Sequence, residues 1–440
     1  MNATVAAIAT GPGNGGIGVI RISGPDADSV LARVARRESA RFPPRSLVRA
    51  RVYDPDTGAV VDDGLAVRFP GPGSYTGEDT VELQVHGGTV ALRACLSAVL
   101  RCGAVAAEPG EFTERAFRNG RIDLAQAEAV AAMISAGSEA ALRVARRQLD
   151  GELTAALRHA GDPLRAALAA IEAAIDYPEE IGNPDPRELA EHFLESVKRV
   201  DALLAGAALG ARLERGATVV LAGVPNVGKS SLLNRLAGRE HAIVTDIPGT
   251  TRDPIEVDLA VDGIPVRFVD TAGLRSTDDP VESQGVERSR RRAGDADIVV
   301  VVLDATGPCW PDGLDPEDPR LMVVLNKIDL TDSAHRDPEW IPASTVAPGG
   351  LDRFLAALGH RLAGSVPDET VLATKVRHVQ ALRSTRECCR RASEGALARV
   401  PIDCIAVDGH AALTHLSSIT GGDGREETLR EIFSRFCLGK

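Results

Sequence analysis

The sequence predicts a multidomain chain of mixed α/β and all-α class. An N-terminal α+β domain leads into a helical bundle, and an α/β domain is inserted between the two halves of that bundle. Three observations carry this reading. Short apolar runs separated by Gly/Pro turns fill the first 117 residues. An Ala/Leu/Glu/Arg-rich tract of helical spacing runs from Ile122 to about Leu213 and returns from Thr374. Between the two helical tracts, strand and helix patterns alternate from Thr218 to about Leu362. A chain of 440 residues also exceeds one ordinary core and suits several domains.

Taken in order, residues 1–117 hold Val19-Ile20-Arg21-Ile22, Leu65-Ala66-Val67-Arg68-Phe69 and Val81-Glu82-Leu83-Gln84-Val85 as strands, with Val90 to Leu100 as a helix. Residues 118–213 form the first helical half, broken at Pro178-Glu179-Glu180 and Asn183-Pro184-Asp185-Pro186. The inserted domain is expected over 214–366. The second helical half, with the C-terminal tail, takes 367–440.

Composition narrows the class. Hydrophobic content of 44% with 25% charged residues is that of an ordinary globular chain, and no run of about 18 apolar residues exists to span a membrane. Met1 to Thr10 has no basic region ahead of its apolar residues, unlike a signal peptide. Seven scattered cysteines, only Cys388 and Cys389 close together, fit reduced cytoplasmic thiols better than a disulfide framework or a zinc site. Near the C-terminus, Cys437 reads equally as a chemical thiol or a buried structural one. A net charge of −12 excludes a basic coat but not a local basic patch. Aromatic content of 3% speaks against base-stacking platforms. With 45 arginines and five lysines, a lysine marks a place where an ammonium is chemically needed, and two of the five fall in the motifs below.

The strongest motif is Gly223-Val224-Pro225-Asn226-Val227-Gly228-Lys229-Ser230, following the strand Thr218 to Ala222 and preceding the helical run Ser231 to Leu236. Glycines let backbone N–H groups curl around phosphates at a helix N-terminus. Lys229 would reach the β- and γ-phosphates, and Ser230 would bind Mg²⁺. Further on, Thr245-Asp246-Ile247-Pro248-Gly249-Thr250-Thr251-Arg252-Asp253 offers a switch hydroxyl for Mg²⁺ and the γ-phosphate. Val266 to Asp270 is a strand ending in an acidic metal partner, followed by Thr271-Ala272-Gly273, whose glycine N–H can meet the γ-phosphate. The strand Leu321 to Leu325 ends in Asn326-Lys327-Ile328-Asp329, where the Asp329 carboxylate matches the N1–H and 2-amino donors of guanine. These stretches, Asn226 to Ser231, Thr245 to Thr251, Asp270 to Gly273 and Asn326, Lys327 and Asp329, predict a Ras-like P-loop domain that binds GTP. Where Ras-like GTPases carry a water-orienting Gln, this chain has Leu274, so another group must orient water, and Glu282 is the first candidate.

Together, G-V-P-N-V-G-K-S, T-D-I-P-G-T-T-R-D, D-T-A-G-L-R and N-K-I-D resemble the TrmE–Era class of GTPases and, more closely, the MnmE (TrmE) family of tRNA modification GTPases. The similarity extends to Gly15-Gly16-Ile17-Gly18-Val19-Ile20-Arg21-Ile22-Ser23-Gly24, to Tyr75-Thr76-Gly77-Glu78-Asp79, to Pro109 through Phe117, to Asp123 through Ala129 and to the tail Phe436-Cys437-Leu438-Gly439-Lys440. The resemblance implies a K⁺-stimulated GTPase that forms a homodimer and a heterotetramer with an FAD-containing MnmG-type protein. That assembly would modify the wobble uridine of tRNA with a one-carbon unit from a tetrahydrofolate derivative. It implies K⁺ at Asn226, Thr245, Ile247 and Thr250, Mg²⁺ at Ser230 and Thr251, and water orientation by Glu282. The N-terminal domain would then be of folate-binding type, with Arg21, Glu82, Arg121 and Lys440 as its site. Departures are Gly11-Pro12-Gly13-Asn14-Gly15 in the N-terminal loop, Arg121 where many members have Lys, and Ile341-Pro342-Ala343-Ser344 in place of a Ser-Ala-Lys/Arg guanine loop.

Two other readings share the nucleotide motifs: a ribosome-assembly GTPase of the Era or Der kind, and a regulatory switch with no modifying role. A KH domain or a second P-loop would favour the former, and the chain has one P-loop and a helical C-terminal part. Arg288-Ser289-Arg290-Arg291-Arg292 reads as a solvated helix face rather than an RNA patch, while the basic stretch from Lys375 to Arg391 fits tRNA contact or balanced acidic neighbours equally.

Overall fold

The computed structural model describes residues 3–238, 242–243, 256–270, 296–311, 313–331, 337–363, 373–422, 426–437 and 439. The chain divides into two compact units, the first made of Met1–Ala131, Gln148–Gly151 and Ser417–Lys440, the second of Ala132–Arg147 and Glu152–Leu416.

In the first unit, β1 (Val5–Ile8), β2 (Ile17–Ser23), β3 (Val48–Tyr53), β4 (Val60–Phe69), β5 (Thr80–His86) and β6 (Val105–Ala106) form one sheet in the order β3-β4-β5-β2-β1-β6. Its pairings are antiparallel except β1 with β6. Side chains alternate across such a sheet, so each strand serves two environments. Ile20, Ile22, Val81, Leu83 and Ala66 pack under α1 (Ala27–Val34) and α2 (Thr89–Arg101) with Val30, Leu31, Cys95 and Val99. The alternate positions put Ala7, Arg21 and Glu82 in register on the opposite face. There Val5 and Ala7 meet Tyr75 and Phe112, the latter from α3 (Glu111–Arg118). The last helix, Glu426–Ser434, belongs to this unit: Leu429, Phe433 and Phe436 close a core with Leu124 and Ala127 of α4 (Leu124–Ser135). Gly110 admits this helix because a β-carbon there would lie 2.5 Å from the Phe433 carbonyl oxygen. Cys437 is exposed, so the buried reading of that thiol does not hold.

In the second unit, α5 (Glu139–Leu149), α6 (Glu152–Asp176), α7 (Pro186–Ala205) and α8 (Ala207–Arg215) precede the inserted sheet. The break expected at residues 183–186 is the start of α7, where Asp185 caps the helix by accepting the Arg187 N–H at 2.9 Å and Pro186 sits in the first turn. Strands β7 (Ala217–Ala222), β8 (Ala242–Ile243), β9 (Glu256–Val261), β10 (Ile264–Asp270), β11 (Ile298–Asp304), β12 (Leu321–Asn326) and β13 (Ile341–Pro342) build a sheet in the order β13-β12-β11-β7-β10-β9-β8. It is parallel from β13 to β10 and antiparallel at β9 and β8. One face is covered by α9 (Lys229–Ala237) and α10 (Asp352–Ala363) through Leu232, Leu233, Leu236, Phe354 and Leu358. Burial on both faces explains the unbroken valine run of β11.

The expected strand–helix alternation does not hold throughout: β9 turns straight into β10 as an antiparallel hairpin. The crossover from β11 to β12 has no helix among its described residues, because prolines at 308, 311, 316 and 319 remove the donors a helix needs. Trp310 and Trp340 cover that face instead. Beyond the inserted domain, α11 (Val376–Leu397) and α12 (Ile402–Ser418) return to α6 and α7. Leu164, Leu168, Ile171 and Phe193 pack there with Cys389, Ala392 and Ile405. The helical bundle is therefore split in sequence by the α/β domain and joined in space. Among the described residues no helix is long and apolar enough to cross a membrane.

Candidate active site

The C-terminal ends of the parallel strands carry the site. β7 runs into the glycine loop and α9 begins at Lys229. Two glycines make the loop possible. Gly223 has φ +150° and a β-carbon there would lie 2.5 Å from the Val302 carbonyl oxygen; Gly228 has φ +99° and its β-carbon would meet the Asn326 amide nitrogen at 2.3 Å. The Lys229 ammonium donates to the carbonyls of Gly223 at 2.8 Å and Val224 at 3.0 Å, which holds a buried cation inside the loop. Ser230 Oγ donates to Asp270 Oδ2 at 3.0 Å. Asp270, 2% exposed, arrives at the end of β10, paired with Leu221 of β7.

The base side of the site is tied to the same loop. Asn326 Nδ2 donates to the Val227 carbonyl at 2.9 Å. Lys327, held at φ +62°, donates from Nζ to the Asn226 carbonyl at 2.8 Å and to Asp304 Oδ2 at 2.6 Å. Burial alone would raise the Asp304 carboxyl. The Lys327 ammonium and the Thr306 N–H and hydroxyl outweigh it and hold the group below the usual carboxylate range. Asp329 is exposed toward solvent, and its Oδ1 accepts the Ser344 hydroxyl at 2.5 Å. Ser344 is 1% exposed and its Oγ accepts the N–H groups of Val346 at 3.2 Å and Ala347 at 3.0 Å.

The structure thus brings Asn226, Val227, Gly228, Lys229, Ser230, Asp270, Asn326, Lys327 and Asp329 to one place. Thr245, Asp246, Ile247, Pro248, Gly249, Thr250, Thr251, Thr271, Ala272, Gly273 and Glu282 lie outside the described residues, as do Leu274, Arg288–Arg292 and Lys440. Two residues not singled out by the sequence join the site, Asp304 and Ser344. Ser344 stands in the segment that departs from a Ser-Ala-Lys/Arg loop, yet its hydroxyl reaches Asp329 directly. A hydroxyl just beyond the last short strand was the available signal.

In the first unit, Arg21 donates from Nε and Nη2 to Glu82 Oε1 at 3.0 and 2.9 Å, and its guanidinium lies 5.5 Å from the Tyr75 ring and 5.7 Å from the Phe112 ring. Arg121 sits beside the same loop, since a β-carbon on Gly77 would touch its side chain at 3.3 Å. That loop is fixed from beneath. Buried Arg115 reaches Glu78 at 2.9 Å and Glu111 at 2.7 Å, and Glu78 also accepts the Ser23 hydroxyl at 2.9 Å. Gly439, at φ +91°, lies against the end of β1, where a β-carbon would be 2.2 Å from the Ile8 carbonyl oxygen. The basic stretch on α11 is balanced by acids: Arg386 pairs with Asp201 at 3.1 Å, Arg391 with Asp408 at 2.5 Å, and Lys375 with Glu214.

A mostly parallel sheet with a Lys-Ser phosphate loop, an acidic strand end beside the serine, and an Asn-Lys-x-Asp base edge define the class: a P-loop GTPase. Residues 4–121 match the family model described as GTP-binding protein TrmE N-terminus, and residues 124–437 match the MnmE helical domain. The chain is 42% identical over 459 residues to the tRNA modification GTPase MnmE of Roseiflexus sp. (strain RS-1), covering 99% of each. It is 40% identical over 468 residues to that of Carboxydothermus hydrogenoformans, covering all of both. The chain belongs to the tRNA modification GTPase MnmE family.

Proposed function

We propose that this chain hydrolyses GTP to drive 5-carboxymethylaminomethyl modification of the tRNA wobble uridine. It would do so in the cytoplasm as a homodimer, in a heterotetramer with an FAD-containing MnmG-type partner. The observation that carries the reading is the convergence of Lys229, Ser230, Asp270, Asn326, Lys327 and Asp329 at one sheet edge, in a chain that matches its family relatives end to end.

The chemistry follows from the donors present. Lys229 would trade its two carbonyl partners for β- and γ-phosphate oxygens. Ser230 and Thr251 would hold Mg²⁺; the Ser230–Asp270 bond fits this, because it aims a hydroxyl and a carboxylate at one small volume. Mg²⁺ and K⁺ would supply charge neutralisation on the phosphates. The K⁺ ligands would be Asn226, Thr245, Ile247 and Thr250. With Leu274 unable to bind water, Glu282 would orient the nucleophile.

The one-carbon unit would arrive on a tetrahydrofolate derivative held by Arg21, Glu82, Arg121 and Lys440. Glu82 suits the adjacent N–H donors of a pterin, and the cations suit the glutamate tail. Mass spectrometry of tRNA nucleosides from cells lacking this protein is the test. Unaltered wobble uridines would refute the reading, and ribosomal particles rather than a flavoprotein on co-purification would favour an Era/Der-like role.

A further inference from the structure

Between positions 33 and 51 this acidic chain carries seven arginines and one carboxylate, Glu38. Folding brings six of them to or beside one sheet edge, whereas Arg33 lies against Gly103 beyond α2. Arg33, Arg36 and Arg37 close α1 and the turn after it, Arg41 ends a short 3-10 turn (Ser39–Arg41), and Arg45 precedes β3. Arg49 and Arg51 lie on β3, the outermost strand of its sheet, and all seven are exposed.

Arg49 and Arg51 share Asp63, whose carboxyl is lowered to about 2 by the Arg49 hydrogen bond first, against an opposing effect of burial, and by Arg51. The other five have no carboxylate partner among the described residues. Three of these guanidinium groups are instead fixed over rings: Arg36 at 5.3 Å from Tyr53, Arg37 at 5.3 Å from Phe42 and Arg45 at 5.9 Å from Phe69. Arg37 also donates to the Arg49 carbonyl at 3.4 Å, and Arg45 to the Gly73 carbonyl at 2.5 Å.

Basic side chains on an edge strand can simply block pairing with another sheet, and the Arg37 bond to an edge carbonyl does so. Blocking six residues of strand does not require four unbalanced cations beside it, whose mutual repulsion is relieved only when an anion is present. Ring stacking lowers the entropy lost when those guanidinium groups meet such an anion. β3 extends about 20 Å at roughly 3.4 Å per residue, a length that spans several phosphates of a nucleic-acid strand. We infer that this arginine edge is the docking surface for the phosphate backbone of tRNA. It positions the RNA without reading its bases. The inference rests on the tRNA role proposed above.

The test is binding of unmodified tRNA to the full-length protein, followed by fluorescence anisotropy across a KCl series. In the variant Arg36→Gln/Arg41→Gln/Arg45→Gln, the slope of log Kd against log[KCl] should fall by about 2, since each phosphate contact contributes roughly 0.7–0.9. Affinity near physiological salt should drop about tenfold or more. The matching Arg→Lys variant should keep the slope, and GTP turnover without tRNA should be unaffected in both. An unchanged slope in the Gln variant overturns the docking surface and leaves the tRNA role standing. Failure of the parent protein to bind tRNA at all also overturns the docking surface, while the tRNA role is decided by the nucleoside test above. A Gln variant that self-associates while binding tRNA like the parent identifies a guard of the sheet edge and overturns the inference as well.

Discussion

Ser344 donates its hydroxyl to Asp329 across 2.5 Å while its own oxygen accepts two backbone N–H groups. One carboxylate oxygen is thereby pinned, and the carboxylate plane that would face a guanine edge is set before nucleotide arrives. Ser344→Ala should leave the fold intact, because the side chain is small and the loop keeps the Ser344 N–H bond to the Gly350 carbonyl at 3.0 Å. A hydrogen bond to a charged group is worth about 1.5–3 kcal/mol, so GTP affinity should fall roughly tenfold or more. Asp329→Asn should go further and favour xanthine over guanine nucleotides, because the amide reverses the demand at the base edge. Nucleotide titrations with GTP and XTP decide this; an unchanged GTP preference in Asp329→Asn refutes the assignment.

Asp270 and Glu282 should separate binding from chemistry. Asp270 is buried against Ser230, so Asp270→Ala should disturb Mg²⁺-dependent nucleotide binding. Glu282→Ala should bind GTP almost normally and turn it over slowly. Normal hydrolysis by Glu282→Ala would move water positioning to another group.

Monovalent cation dependence follows from Leu274 and from the loop geometry. The Asn226 main-chain carbonyl already accepts the Lys327 ammonium, so the proposed K⁺ contact uses its side-chain oxygen. Charge stabilisation of arginine-finger type is worth about 10³–10⁵ in rate, and turnover in KCl should exceed that in NaCl by an order of magnitude or more. Equal rates in both salts would sink the K⁺ assignment. Asn226→Ala should erase most of the difference between the salts.

What could be read in the sequence depended on how local the cause was. The phosphate loop was legible because strand, glycine turn and helix start are consecutive, and the positive φ at Gly223 and Gly228 strains any other residue. Arg21 and Glu82 are 61 positions apart, and only the β2–β5 register sets them opposite one another. The Asp304–Lys327 pair depends on two parallel strands ending at the same level, which periodicity cannot fix. The absence of a helix among the described residues between β11 and β12 was written in its prolines, but the alternating pattern on either side outweighed them. The arginine edge was hidden because net charge averages over the chain, and only the sheet order shows that β3 is outermost.

The last prediction concerns the tail, on which the folate proposal depends. A free C-terminus is ordinarily polar and mobile. Here the Phe433 and Phe436 rings pack with centroids 5.4 Å apart in a core with Leu124, and three residues later Gly439 touches the end of β1. β1 pairs with β2 through Ile8 and Ile20, one position from Arg21, so Gly439 lies against the strand next to the one that bears the proposed folate cation. Gly439 is held there by two constraints: its φ of +91° disfavours a side chain, and a β-carbon would overlap the Ile8 carbonyl oxygen at 2.2 Å. Gly439→Val should therefore cost about 1–3 kcal/mol of backbone strain in addition to the overlap, and the tail should leave β1. If Lys440 completes the site, calorimetry with 5-formyltetrahydrofolate should detect binding to the parent protein without GTP. Arg21→Ala should abolish that binding. Gly439→Val and a deletion of the last four residues should weaken it by at least tenfold, while GTP hydrolysis persists in all three. Tight folate binding by the tail-deleted protein would remove Lys440 from the site but leave Arg21 and Glu82 in it. No binding to the parent at high ligand concentration would refute the folate assignment altogether.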